Sequence, residues 1–187
     1  MIEIISTEIP NLVIIQPAIY EDDRGYFFEP YSEKHYIKKI GKINFVQDSE
    51  AKSKQNVVRG LHFQLPPFDQ TKLVRCIDGK ILDIVVDIRK GSPTYGQHFK
   101  TILSSENKKQ LLIPKGFAHG YLVLSKQAIF FYKVDNFYSK KYDYGILYND
   151  PFLGIDWEIP EEKIIVSKRD KKLKTLKETN IPFTYKT

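Results

Sequence analysis

The sequence predicts an all-β protein, a sandwich or barrel, and three observations lead there. Short apolar runs rich in Ile, Val, Leu, Phe and Tyr recur along the chain, Gly and Pro turns separate them, and helical spacing is almost absent. With 187 residues, 42% of them apolar and 13% aromatic, the chain suits one domain spanning 1–187 with a sizeable core, and it is too hydrophobic for a disordered chain.

Leu12-Val13-Ile14-Ile15 reads as a short strand ended by Pro17, and Tyr26-Phe27-Phe28 as a second, entered through the turn-like Asp22-Asp23-Arg24-Gly25. Ser32 to Gly41 is the clearest helix, with Ser32 as N-cap, Glu33 in the first turn, lysines near the end and Gly41 beyond it. Tyr36, Ile37 and Ile40 should face the core. Phe45-Val46-Gln47 resumes the strand pattern, and polar Asp48 to Asn56 separates it from the run Val58 to Gln64. After Lys72, two apolar runs are joined by Asp78-Gly79, which supplies the positive φ of a tight turn and predicts a β-hairpin. Its second arm, Ile81 to Ile88, is apolar except for Asp83 and Asp87, which period two sets on one face, where each needs a partner. Strands follow at Leu111 to Ile113, Gly120 to Leu124 and Ala128 to Val134. From Asp150 the chain looks irregular, with a basic helix over Asp170 to Leu176.

A net charge of +6 is spread along the chain, so lysines on solvated faces explain it better than a nucleic-acid stripe, and no nucleic-acid partner is expected. The single cysteine, Cys76, lies in an apolar run and reads as a small buried filler in a reducing compartment. Charges interrupt every apolar run before membrane-spanning length and the N-terminus lacks a basic or long apolar leader, so a soluble cytoplasmic protein is expected, with no membrane partner. The four histidines contain no His-x-His pair, and no Gly-rich dinucleotide loop opens a helix, so neither metal nor cofactor is expected.

Chemistry concentrates in Val58-Arg59-Gly60-Leu61-His62-Phe63-Gln64. A lone histidine in a strand is usually a satisfied core residue, and an arginine beside it a solvated edge. Lys72, however, opens a neighbouring strand with a second cation, and that repetition favours a site. Arg59 and His62 are three apart and fall on opposite faces of a regular strand; both reach one pocket only if the strand is bulged, and Gly60 is the natural place for the irregularity.

Asp23-Arg24-Gly25, Phe28-Glu29, Phe45-Val46-Gln47-Asp48, Arg59 to Gln64, Lys72-Leu73-Val74, Val86-Asp87-Ile88-Arg89, Ser92 to Gly96, Pro114 to Gly120, Tyr132-Lys133, Asn149-Asp150-Pro151 and Ser167 to Asp170 closely resemble, in order, the motifs of the dTDP-4-dehydrorhamnose 3,5-epimerase family. The resemblance covers nearly the whole chain. It implies a double-stranded β-helix, the cupin jelly roll, with one or two short peripheral helices, and a homodimer acting on a nucleoside-diphosphate sugar. The implied reaction removes and returns protons at C3 and C5 of a 4-keto-6-deoxy sugar, next to the C4 ketone and through an enolate. Such chemistry needs a base, donors where the oxyanion develops and an acid on the opposite face. His62 matches the family's base and Asp170 its carboxylate partner, while Lys72 and Arg59 match cations for the enolate or pyrophosphate. Tyr132 matches the acid. His119 and Asp83 match a structural or substrate-orienting pair, with a share in proton transfer as second reading. Arg24, Phe27, Glu29 and Gln47 match nucleotide and diphosphate contacts, partly across the dimer, and Tyr138 an aromatic that stacks on the base. Core packing is the plain alternative for Phe27 and Tyr138.

Ser49 and Ala51 stand where the family commonly has asparagine and serine, followed here by Ser53, and Tyr148 replaces a tryptophan. Relatives act on GDP-linked 4-keto-6-deoxyheptoses or invert one carbon only. A catalytically silent nucleotide-sugar binding cupin, a 3,4-ketoisomerase and a nucleic-acid binder rank behind the epimerase, because base, partner, cation and acid candidates are all present together.

Overall fold

The computed structural model describes residues 1–185. Its strands are β1 (Ile2–Ser6), β2 (Val13–Pro17), β3 (Tyr20–Asp22), β4 (Gly25–Phe27), β5 (Gln47–Lys54), β6 (Val57–Gln64) and β7 (Lys72–Asp78). They continue as β8 (Lys80–Asp87), β9 (His98–Ser104), β10 (Gln110–Ile113), β11 (Phe117–Val123), β12 (Gln127–Val134), β13 (Asp143–Gly145) and β14 (Ile165–Val166). One α-helix, α1 (Glu33–Lys39), sits at the periphery.

Two sheets carry the fold. One has the order β1-β2-β10-β7-β12-β5, the other β13-β6-β11-β8-β9 with β14 added in parallel to β6. Every other pairing between these strands is antiparallel. Consecutive strands mostly alternate between the sheets, as a jelly roll requires, so residues distant in sequence meet in the space between them. Period two makes this interior. Val74 and Cys76 of β7, Ile81 and Val85 of β8, Tyr121 and Val123 of β11 and Ala128 and Phe130 of β12 pack there. The outer face of the second sheet carries Leu82, Ile84 and Val86 and is covered by the C-terminal segment through Ile146, Tyr148, Trp157, Leu176 and Phe183. Tyr36 of α1 packs with Ile2, Ile15, Leu73 and Leu112 on the outside of the first sheet.

Several local expectations need correction. Asp78-Gly79 does turn, with Gly79 at φ +78°, but β7 and β8 belong to different sheets and form no hairpin. The dipeptide specifies a local backbone bend; which strands then pair is decided by burial, and β8 is buried along both faces between β11 and β9. Asp48 to Asn56 is not a separator, since most of it is the edge strand β5, whose inner face is itself polar: Gln47, Ser49 and Ser53 alternate with exposed charges. The strands β1, β3 and β9 were also not foreseen. β2, by contrast, ends at Pro17 as expected. In α1 only Tyr36 is buried, whereas Ile37 is 47% exposed because one helical step turns it from the sheet. Ser32 stands at the N-cap position without a side-chain capping bond. The expected helix over Asp170 to Leu176 is only a 3-10 turn, Asp170–Lys172.

The buried carboxylates of β8 find their partners. Asp87 accepts from Arg89 Nη2 at 2.7 Å, Ser92 Oγ at 2.6 Å and Thr94 Oγ1 at 2.8 Å, which ties the loop after β8 to the sheet. Burial alone would raise the Asp87 carboxyl, and these donors hold it below the usual carboxylate range. Asp83 faces the interior, toward the site.

Candidate active site

A cleft of about 170 Å³ opens between the sheets, lined by Ala51 of β5, Arg59 and His62 of β6, Lys72 of β7, His119 and Tyr121 of β11, and Phe130 and Tyr132 of β12. Both sheets therefore contribute. The arrangement depends on an irregularity in β6. Against β11, His62 pairs with His119 and Arg59 with Tyr121, so two residues of β6, Gly60 and Leu61, stand against one of β11, Gly120. That is a β-bulge between Arg59 and His62. Its effect on facing is visible in the packing: Val58, Leu61 and Phe63 lie on the outer face, so Arg59 and His62 both turn inward. Gly60 has φ +145°, and a Cβ there would stand 2.5 Å from the Cα of Gly120, so only glycine allows the two strands to approach this closely.

His62 Nε2 is 2.8 Å from Asp170 Oδ1; the histidine side chain is 29% exposed and the carboxylate's 5%. Burial raises the Asp170 carboxyl, but the hydrogen bond and charge of His62, with help from Ser167 and Arg169, bring it below the usual range. It is a buried, ionised carboxylate hydrogen-bonded to the imidazole. With Nε2 engaged, Nδ1 of His62 is the nitrogen left to exchange a proton.

Lys72 is half-buried. Desolvation pushes its ammonium down to about 8, against the opposing pull of Asp143 and Asp83. Arg59 Nε donates to Ser53 Oγ at 2.9 Å. His119 Nε2 lies 3.0 and 2.9 Å from the two Asp83 oxygens, and its ring stacks on Phe130 at 5.6 Å between centroids. Tyr132 also packs against Phe130, tilted, at 5.6 Å. The cleft thus holds an imidazole on a fixed carboxylate, two cations and a phenol: the groups that proton transfer beside a carbonyl needs.

The model of the dTDP-4-dehydrorhamnose 3,5-epimerase family matches residues 6–178. The chain belongs to that family. It is 50% identical over 165 residues to the dTDP-4-dehydrorhamnose 3,5-epimerase of Salmonella typhimurium, covering 86% of this chain and 90% of the relative. Identity to the enzyme of the same name from Shigella flexneri is 48% over 168 residues, 89% of this chain and 92% of the relative. The structure superposes with a TM-score of 0.95 on dTDP-6-deoxy-D-glucose-3,5-epimerase from Legionella pneumophila in complex with dTDP-4-keto-L-rhamnose, at 43% identity over 100% of both chains. Family membership makes this protein an isomerase, of the epimerases that act on nucleotide-linked 4-keto-6-deoxy sugars, and its fold the cupin-like jelly roll.

The other residues named from the family's motifs lie outside the cleft. Gln47 is half-buried at its mouth, donating to Ser49 Oγ at 3.1 Å and accepting from the Tyr138 backbone N–H at 3.2 Å. Tyr138 is 54% exposed. Arg24 and Phe27 project on the β3–β4 hairpin, with Arg24 held to Asp22 at 2.6 Å and Phe27 65% exposed. Glu29 is exposed 3.7 Å from His35. Within one chain these three are not brought to His62.

One neighbour of the site escaped the sequence reading. Asp143, at the start of β13, accepts from Tyr138 Oη at 3.1 Å and from Arg169 Nη1 at 2.7 Å, and its charge acts on Lys72. No periodic pattern marks it, because it enters through an irregular segment, although its place five residues after Tyr138 was the available hint. Among the described residues no cluster of three His, Cys, Asp or Glu is placed to hold a metal ion, and no helix is long and apolar enough to cross a membrane.

Proposed function

We propose that this cleft inverts C3 and C5 of a dTDP-linked 4-keto-6-deoxy sugar, one carbon at a time. His62 Nδ1 takes the proton from a carbon beside the C4 ketone, and the C–H electrons move onto the ketone oxygen as an enolate. Asp170 holds the imidazole in the working tautomer and stabilises the imidazolium that forms. Lys72 and Arg59 supply positive charge to the developing oxyanion or the diphosphate. Tyr132 returns a proton on the opposite face of the ring. His119 on Asp83 orients the sugar, with Gly60 as the support that lets Arg59 share the pocket. The observation that carries this reading is the 2.8 Å His62–Asp170 pair set in one cleft with a half-buried Lys72 and with Tyr132.

Gln47, Ser49 and Tyr138 at the mouth receive the nucleotide. Arg24, Phe27 and Glu29 serve the same end from the partner of a homodimer; in support, the β3–β4 hairpin stands away from its own cleft and exposes Tyr20, Tyr26 and Phe27 by more than half. The working unit is one domain, 1–187, per protomer, without metal or cofactor, and the lone buried Cys76 fits a reducing cytoplasm. Proton NMR of the protein with a panel of dTDP- and GDP-linked 4-keto-6-deoxy sugars, hexoses and heptoses, tests substrate and carbon together. Turnover of a dTDP-hexose with change at both carbons is expected; turnover of the GDP-heptose alone would refute the substrate assignment.

A further inference from the structure

Tyr121 lines the same cleft and has no role in the scheme above. It is 3% exposed, and its hydroxyl has no hydrogen-bond partner. Ser53 Oγ, which accepts from Arg59 Nε at 2.9 Å, is near enough to draw the phenol down a little, but no hydrogen bond of acceptable geometry joins serine to tyrosine. An unpaired buried hydroxyl is costly, and a phenylalanine would fill the same space without that cost. Tyr121 stands two residues from His119 on the inward face of β11, opposite Arg59 in register. Its ring stacks on Phe130 at 4.4 Å, the same ring that His119 and Tyr132 pack against. Ala51, which also lines the cleft, contributes only a methyl. Burial pushes the Tyr121 phenol up, so at neutral pH it is a neutral donor waiting for an acceptor.

We infer that the Tyr121 hydroxyl donates a hydrogen bond to an oxygen of the bound sugar, making it a further substrate-contacting residue of the cleft. The inference rests on the epimerase reading. Depth decides for the sugar over the diphosphate, because Tyr121 is buried among the groups around the reacting carbons, whereas the nucleotide residues Gln47 and Tyr138 lie at the mouth.

Tyr121→Phe removes the hydroxyl and keeps the ring stack. The measurements are kcat/KM and affinity for the dTDP-linked 4-keto-6-deoxy sugar, affinity for dTDP alone, and the melting temperature. An isolated hydrogen bond predicts a fall of about tenfold in kcat/KM. Affinity for dTDP should be unchanged, and the melting temperature of the free protein should be no lower than that of wild type, because the variant loses an unpaired buried hydroxyl. Wild-type kcat/KM and sugar-nucleotide affinity in Tyr121→Phe would overturn the inference, as would a parallel loss of dTDP affinity, which would put the contact on the diphosphate. If wild-type protein binds the sugar nucleotide without exchanging its protons, the epimerase reading fails instead, and an approximately tenfold affinity difference between wild type and Tyr121→Phe still reads out the contact.

Discussion

Replacing Asp170 by Asn should disable the enzyme while leaving its shape intact. The Asp170 side chain is 5% exposed and sits 2.8 Å from His62 Nε2, so the bond is charge-assisted and shielded from water. Such bonds are worth roughly 1.5–3 kcal/mol, which converts to a fall of about 10- to 150-fold in kcat if the imidazolium loses that support. The amide adds a second handicap. Its NH₂ can donate to Nε2, which would move the imidazole proton to Nδ1, the nitrogen that has to accept from substrate. The assay is solvent-deuterium exchange at C3 and C5 followed by NMR, with dTDP affinity as the folding control. A stability readout accompanies it. Because the Asp170 carboxyl is held below its ordinary value in the folded state, it contributes stability above the ordinary carboxylate range that is lost as pH falls through the folded value. Asp170→Asn should therefore be less stable than wild type at neutral pH, with the gap closing in acid. An exchange rate within roughly twofold of wild type would refute the orienting role.

Two further outcomes follow from the same geometry. Lys72 is pushed down to about 8, so it is a cation below that pH and neutral above it; kcat/KM should fall as pH rises through about 8, and Lys72→Arg should remove that limb from the pH profile. In Gly60→Ala the new Cβ would meet the Gly120 Cα at 2.5 Å with φ at +145°, so at least about 2 kcal/mol of stability should be lost, read as a melting temperature lower by roughly 4–8 °C.

The fold class was legible because apolar runs of strand length recur between Gly and Pro turns; β8 and β11, buried along both faces, read as nearly continuous apolar runs. β5 was not, since it sits at a sheet edge and its inner face, which borders the cleft through Ala51, carries Gln47, Ser49 and Ser53 where a core strand would be apolar. Site chemistry and strand legibility oppose each other there. The Asp78-Gly79 turn shows a different limit: local backbone preference fixed the bend, while the partner strand depended on which faces became buried. At the site, the conflict between period two and the positions of Arg59 and His62 pointed to a bulge at Gly60, and the register of β6 against β11 has one there. His62 and Asp170 are 108 residues apart, and no spacing rule joins them; only the likeness to a family of known motifs brought Asp170 forward. Asp143 and Tyr121 had no such help. Each is an ordinary residue until the fold places it beside Lys72 or in the cleft wall.

The most direct test is the His62→Ala variant incubated in deuterated water with a dTDP-linked 4-keto-6-deoxy sugar, with deuterium at C3 and C5 followed by NMR. Wild-type protein should incorporate deuterium at both carbons, and His62→Ala, still binding dTDP, should incorporate none above the buffer rate. Undiminished incorporation by His62→Ala would contradict the assignment of His62 as the base.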